Sequence, residues 1–198
     1  MGEPRHEVVG VPTPDEGAAL VRLAVAAVGA RLSGVDPTPP VPDSAYLRAP
    51  GASFVTLERG GQLRGCIGTV EARRPLYLDV ARNAVGAMND PRLPPVTLAD
   101  WPELDVKVAV LTPPTPLPAP DRAALVAALR PGVDGLVLSE GPRRATFLPA
   151  VWAKLPDPER FVAALLAKGG WARWSDGIEA FRYASVDFTD RSPREPLA

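Results

Sequence analysis

The sequence predicts an α+β fold built on a mainly antiparallel sheet flanked by helices. Two observations carry this. Strand-like runs come as neighbours joined by short glycine-containing turns, which is hairpin logic and gives antiparallel pairing. Helical periodicities fall between these pairs instead of after every strand, which disfavours a doubly wound parallel sheet. At 198 residues the chain can bury one sizeable core, or one core with a smaller lobe.

The elements follow in order. Thr13-Pro14-Asp15-Glu16 is a capping box with proline at the first helical position. Leu20, Leu23, Ala24, Ala27 and Val28 recur at helical spacing, so a helix is expected over 14–32, with Gly34 as its stop. Residues 35–50 are proline-rich and read as a surface loop. Residues 52–59 and 63–70 read as two strands joined at Gly60-Gly61-Gln62. A second helix runs from Pro75 to Met88, because Pro91 excludes the helical conformation at Asp90. Val106, Val108 and Val110 alternate within a strand over 104–111. A rigid proline-rich connection spans 112–120, followed by a short helix over 121–130. Residues 135–139 and 145–148 form a second hairpin around Glu140-Gly141-Pro142. A helix over 157–168 stops at Gly169-Gly170, and one last strand is expected over 181–188. The polar tail from Thr189 reads as frayed.

Composition excludes several classes. A formal net charge of −1 supplies no global field for nucleic acid or anionic membrane. The single cysteine cannot form an intramolecular disulfide, which suits a reducing cytoplasm. Residues 1–14 lack an apolar signal region, and the most apolar stretch, 18–32, is interrupted by Arg22 and Arg31, so no membrane partner is expected. The only histidine, His6, sits in the polar N-terminal tail. A Ser-His-Asp or Cys-His arrangement would have to recruit that tail, and a Cys/His zinc site is not available. Carboxylate-bound Mg²⁺ or Ca²⁺ stays open, though no EF-hand-like loop is present, and the sequence names no cofactor.

The stretch Leu63-Arg64-Gly65-Cys66-Ile67-Gly68-Thr69 is where chemistry is expected. On an unbroken strand Arg64, Cys66 and Gly68 share one face, and Leu63, Gly65, Ile67 and Thr69 share the other. Arg64 and Cys66 would then be about 7 Å apart at their Cα atoms, with a gap left beside them at Gly68. Interior glycines weaken a strand. They are kept where a ligand or another backbone comes close, or they mark a bulge. A nearby guanidinium favours the thiolate, which makes Cys66 a nucleophile candidate that needs no histidine. The competing reading is packing, since free cysteine is among the most buried residue types.

Further segments agree with this one in order and spacing. Phe54-Val55-Thr56-Leu57 precedes it, and Asn83-Ala84 and Asp90-Pro91-Arg92 follow. Leu111-Thr112-Pro113, Gly135-Leu136, Leu148-Pro149, Trp152, Lys168-Gly169-Gly170 and Trp174 come next. Across 18–188 the chain thereby resembles the AMMECR family, whose hallmark hexapeptide falls within 63–69. The region around Trp152 and Lys168 is most similar to the bacterial and archaeal branch called AmmeMemoRadiSam system protein A. Gly169 stands where that family has alanine, and Leu93 where it has phenylalanine.

The resemblance implies a domain over 14–188 with a larger and a smaller lobe, inseparable by sequence, and a cleft holding the hexapeptide. Residues 1–13 and 189–198 are tails. It implies the company of a Memo-type protein, related to non-haem iron dioxygenases, and of a radical S-adenosylmethionine enzyme. It implies no particular reaction. The expected function is an enzyme or substrate handler acting on a small molecule or modified nucleotide. Cys66 and Arg64 are the catalytic candidates, and Gly65, Gly68, Thr56, Asp90, Arg92 and Lys168 are the binding candidates. The rival is a non-catalytic binding or regulatory module contacting a protein partner or RNA.

Each candidate also has a structural role open to it. Asp90 and Arg92 can be a local turn cap, with Arg92 pairing to the sheet edge. Lys168 can simply complement a helix dipole. Thr56 can serve β-propensity alone. Trp171 and Trp174 can stack a ring or seal a core.

Overall fold

The capping box forms as read, and α1 (Pro14–Leu32) begins at it in the computed structural model, which describes residues 10–197. The Thr13 hydroxyl accepts from the Glu16 N–H at 3.3 Å, and the Glu16 carboxylate accepts from the Thr13 N–H at 2.9 Å. The expectation for His6 falls outside the described residues. The chain divides into two units, one running to Leu111 and resuming at Val186, the other spanning Thr112–Ser185.

In the first unit the proline-rich loop holds one short helix, α2 (Ala45–Arg48), capped by the Ser44 hydroxyl. β1 (Pro50–Arg59) and β2 (Gln62–Gly68) form the expected hairpin. Gly60 and Gly61 both take positive φ, 55° and 76°, as a two-residue hairpin turn of this kind requires. β3 (Arg74–Pro75) bridges to the start of β1 and leads into α3 (Leu76–Ala87). β4 (Leu104–Leu111) follows a 3₁₀ turn at Trp101–Glu103.

The second unit contains β5 (Thr115–Pro116), α4 (Arg122–Ala128), β6 (Gly135–Glu140) and β7 (Arg143–Phe147). It closes with α5 (Pro158–Lys168) and β8 (Glu179–Tyr183). The chain then returns to the first unit as β9 (Ser185–Asp190).

The first unit's sheet has strand order β2-β1-β4-β9, with β3 beside β1. One face, carrying Val55, Leu57, Val106 and Val108, packs with Leu20 and Val28 of α1 and Val80 and Ala84 of α3 into one core. The second unit's sheet runs β5-β8-β6-β7 and has its own core. There Trp152 stacks on Phe161 at 3.8 Å between ring centroids, and Trp171 is buried. The fold is therefore α+β with antiparallel sheets flanked by helices.

Two expectations need correction. The single last strand over 181–188 is two strands in two sheets. It breaks at Ala184, whose N–H donates to Thr112 Oγ1 and whose carbonyl accepts from the Thr112 N–H, both at 2.9 Å. The tail from Thr189 is not frayed. Ser192 N–H donates to Asp105 at 2.7 Å, Arg194 Nε donates to the Leu104 carbonyl at 2.6 Å, and Trp101 Nε1 donates to the Glu195 carbonyl at 2.7 Å. Arg194 also lies 5.3 Å over the Trp101 ring, so the tail satisfies polar groups at the start of β4 that would otherwise need water.

Candidate functional site

Cys66 lies on β2, the outermost strand of its sheet, opposite Thr56 of β1. Between this pair and the turn the register slips. Leu57 pairs with Gly65, but Glu58 pairs with Leu63, which leaves Arg64 as the extra residue of a β-bulge. The shared face expected for Arg64 and Cys66 assumed unbroken alternation, and the bulge breaks it. Paired residues lie on the same face, so Leu63 moves to the side of Glu58, Thr56 and Cys66. Leu63 is exposed there.

Arg64 is accordingly aimed elsewhere. Its Nε and Nη2 donate to the two oxygens of Asp100, each at 3.1 Å, and Nη2 also donates to the Pro95 carbonyl at 3.2 Å. Burial pushes the Asp100 carboxyl up, but the Thr97 N–H and the Arg64 guanidinium outweigh it and hold the group below its ordinary value. This forked pair ties the loop before β4 to the bulge.

The backbone of Cys66 points away from β1, and its two polar groups are met by the turn after α3. The N–H donates to Asp90 Oδ2 at 3.0 Å, and the carbonyl accepts from Arg92 Nη2 at 3.1 Å. Asp90 also accepts from the Arg92 N–H at 3.1 Å, from Arg92 Nε at 2.9 Å and from Nη2 at 2.6 Å. The Asp90 side chain is fully buried, whereas that of Arg92 is 66% exposed. Hydrogen bonds from Arg92 hold the Asp90 carboxyl well below the usual carboxylate range, against the upward push of burial. Asp90 is therefore a poor proton acceptor. Arg92 is raised chiefly by its bond to Asp90, and the Cys66 sulfur makes a smaller contribution in the same direction. An otherwise open strand edge is thus sealed by an ion pair whose cation stays within electrostatic reach of sulfur.

The thiol is half-buried. Thr56 Oγ1 donates to Sγ at 3.2 Å, the close approach expected where facing residues do not exchange backbone hydrogen bonds. Thr56 and Cys66 stand outside the core that the Val55 face forms with α1 and α3. It also holds the Lys107–Glu58 ion pair at 2.6 Å.

The two glycines answer to packing. A Cβ on Gly65 would sit 1.8 Å from the Ala87 carbonyl oxygen, so the C-terminus of α3 lies directly against the strand. A Cβ on Gly68 would lie 2.2 Å from the Phe54 ring, which fills the gap expected beside Cys66. The reason for glycine is close approach, by a backbone at one position and a ring at the other.

Lys168 belongs to the second unit, where Nζ donates to the Thr146 carbonyl at 2.9 Å and lies 5.2 Å over the Phe147 ring. Sequence reasoning missed a buried polar network beneath β1. One oxygen of Asp79 accepts from the Ser53 N–H, the Ser53 hydroxyl, the Thr69 hydroxyl and Asn83 Nδ2, at 2.7–3.0 Å. Arg74 pairs with the other oxygen at 3.3 Å. Asp79 and Asn83 stand four apart on α3 and face inward together; an acidic residue at a core-facing helical position was the available signal. Among the described residues no three His, Cys, Asp or Glu side chains come together to hold a metal ion.

Comparison with known proteins agrees with this architecture. The AMMECR1 family pattern matches residues 21–188. A protein of Methanothermobacter thermautotrophicus is 39% identical over 160 residues, covering 79% of this chain and 83% of the relative. One from Thermotoga maritima is 35% identical over 152 residues, covering 75% and 83%. The crystal structure of the uncharacterized protein PH0010 from Pyrococcus horikoshii superposes with a TM-score of 0.82 at 31% identity, covering 92% of this chain and 95% of that one. The chain belongs to the AMMECR1 family.

Proposed function

We propose that Cys66 is a covalent acceptor for a small electrophilic organic molecule or modified nucleotide, and that the protein is an enzyme or substrate handler. One observation carries this reading. At a single residue a half-buried thiol, a hydroxyl donor 3.2 Å from sulfur and a backbone fixed by an Asp–Arg pair coincide. The partly accessible sulfur, held by the Thr56 hydroxyl, is the nucleophile candidate. The sulfur attacks an electrophilic carbon, an S–C bond forms, and the displaced electron pair moves to the substrate's oxygen or leaving group. The thiol proton goes to water, because Asp90 is committed to Cys66 N–H and Arg92. Arg92 and Thr56 hold the acceptor in place, whereas Arg64 is committed to Asp100. The cytoplasm, where a lone thiol stays reduced, is the matching compartment.

We place this chemistry beside a radical S-adenosylmethionine enzyme and a Memo-type protein, a reading supported only by the resemblance around Trp152 and Lys168. Mass spectrometry of small molecules co-purifying with the wild type and with Cys66→Ala tests the acceptor role. A molecule attached through Cys66 and lost in the variant supports it. Identical sets of non-covalent passengers in both would favour the binding-module reading.

A further inference from the structure

The apolar face of α1 extends past its core-facing line onto one flank, where Ala19 and Leu23 still touch the core and Ala26 is exposed. Ala19, Leu23, Ala26 and Ala30 follow one another at spacings of four, three and four, beside the buried line of Leu20, Ala24 and Val28. The Pro37–Pro42 segment runs opposite, and between the two lies a groove of about 460 Å³. That volume falls in the range of small-molecule sites, about 300–1,000 Å³. The walls offer little to water. The alanines have no polar side-chain atoms, and Pro37, Pro39, Pro40 and Pro42 have no N–H to donate. The lining has two polar side chains, Thr38 and Arg22. Arg22 is exposed, and among the described residues no hydrogen bond or ion pair engages it. The neighbouring charges are committed: Asp36 pairs with Arg31 at 2.9 Å, and Glu16 accepts from Ser44 at 2.5 Å.

We infer that this groove binds a small amphipathic carboxylate. The apolar body lies between the alanine stripe and the prolines, and the carboxylate pairs with Arg22. Charge complementarity selects the occupant, because a single unpaired cation at the side of an otherwise apolar trough favours one anionic head on an apolar chain. This site is independent of Cys66, which does not line the groove.

Ligand-observed NMR titration of the full chain with decanoate, decanol and decylammonium tests the inference. Saturable decanoate binding is expected, with decanol and decylammonium each weaker. Arg22→Gln should weaken decanoate about fivefold, near the upper limit for an exposed ion pair, and leave decanol unchanged. Ala26→Phe should fill the groove and abolish binding of both, with an unchanged urea midpoint because Ala26 is exposed. Equal binding of decanoate and decanol overturns the inference. So does an unchanged affinity in Ala26→Phe, or the absence of saturable decanoate binding below the millimolar range.

Discussion

Replacing Asp90 with alanine removes the acceptor that holds the open edge of β2. The buried carboxylate accepts from Cys66 N–H, Arg92 N–H, Arg92 Nε and Arg92 Nη2. The Arg92 side chain is two-thirds exposed and regains water when released, so its share is that of a surface pair, about 1 kcal/mol or less. The two backbone N–H groups lose a charged acceptor, each worth about 1.5–3 kcal/mol, partly recovered if water reaches the edge. Together Asp90→Ala should cost about 3 kcal/mol. Asp90→Asn keeps one acceptor oxygen and should cost roughly half of that. Urea unfolding of the first unit provides the assay, read by hydrogen exchange of residues 62–68 so that the second unit does not intrude. A loss under about 0.5 kcal/mol, the range of an ordinary surface substitution, would refute the clamp.

The pH dependence has a definite sign. The Asp90 carboxyl is lowered in the folded chain, so its contribution is complete above the ordinary carboxylate value of about 4 and is lost as pH falls toward the folded value. The stability gap between wild type and Asp90→Asn should therefore be flat from neutral pH down to about 4 and close below it.

Three further outcomes are expected. Gly65→Ala drives Cβ into the Ala87 carbonyl and should cost about 3 kcal/mol, whereas Gly68→Ala meets a Phe54 ring that can turn and should cost about 1 kcal/mol; thermal unfolding of the two variants ranks them. Arg64→Gln should leave the alkylation rate of Cys66 unchanged, because that guanidinium is bound to Asp100, while Arg92→Gln should slow it several-fold; stopped-time labelling with iodoacetamide distinguishes them. Truncation after Asp190 removes the Glu195 acceptor of Trp101 and the Arg194 bond to Leu104. It should cost about 2 kcal/mol and shift Trp101 emission to the red, read by fluorescence-monitored unfolding.

What could be read from the sequence was local. The Thr13–Glu16 box, the valine alternation of β4 and the Gly60-Gly61 turn each lie within a few residues, and each formed where expected. The Asp90-Pro91-Arg92 turn was legible as a cap for the same reason, since Asp90 accepts from a residue two positions on. What stayed hidden depends on distant partners. The bulge at Arg64 depends on the register of β1 and on a bond to Asp100, 36 residues away, so period-two alternation does not give the direction of Arg64. The break at Ala184 depends on Thr112, 72 residues earlier. The glycines were recognised as close-approach positions, but only the fold identifies Ala87 and Phe54 as what comes close.

The central claim is that Cys66 presents an accessible sulfur on a clamped strand edge. Iodoacetamide labelling of the native protein at neutral pH, quantified by intact-mass spectrometry, tests it most directly. The account predicts complete labelling at Cys66 without denaturant. Labelling that requires denaturant would contradict it and leave Cys66 as a packed side chain.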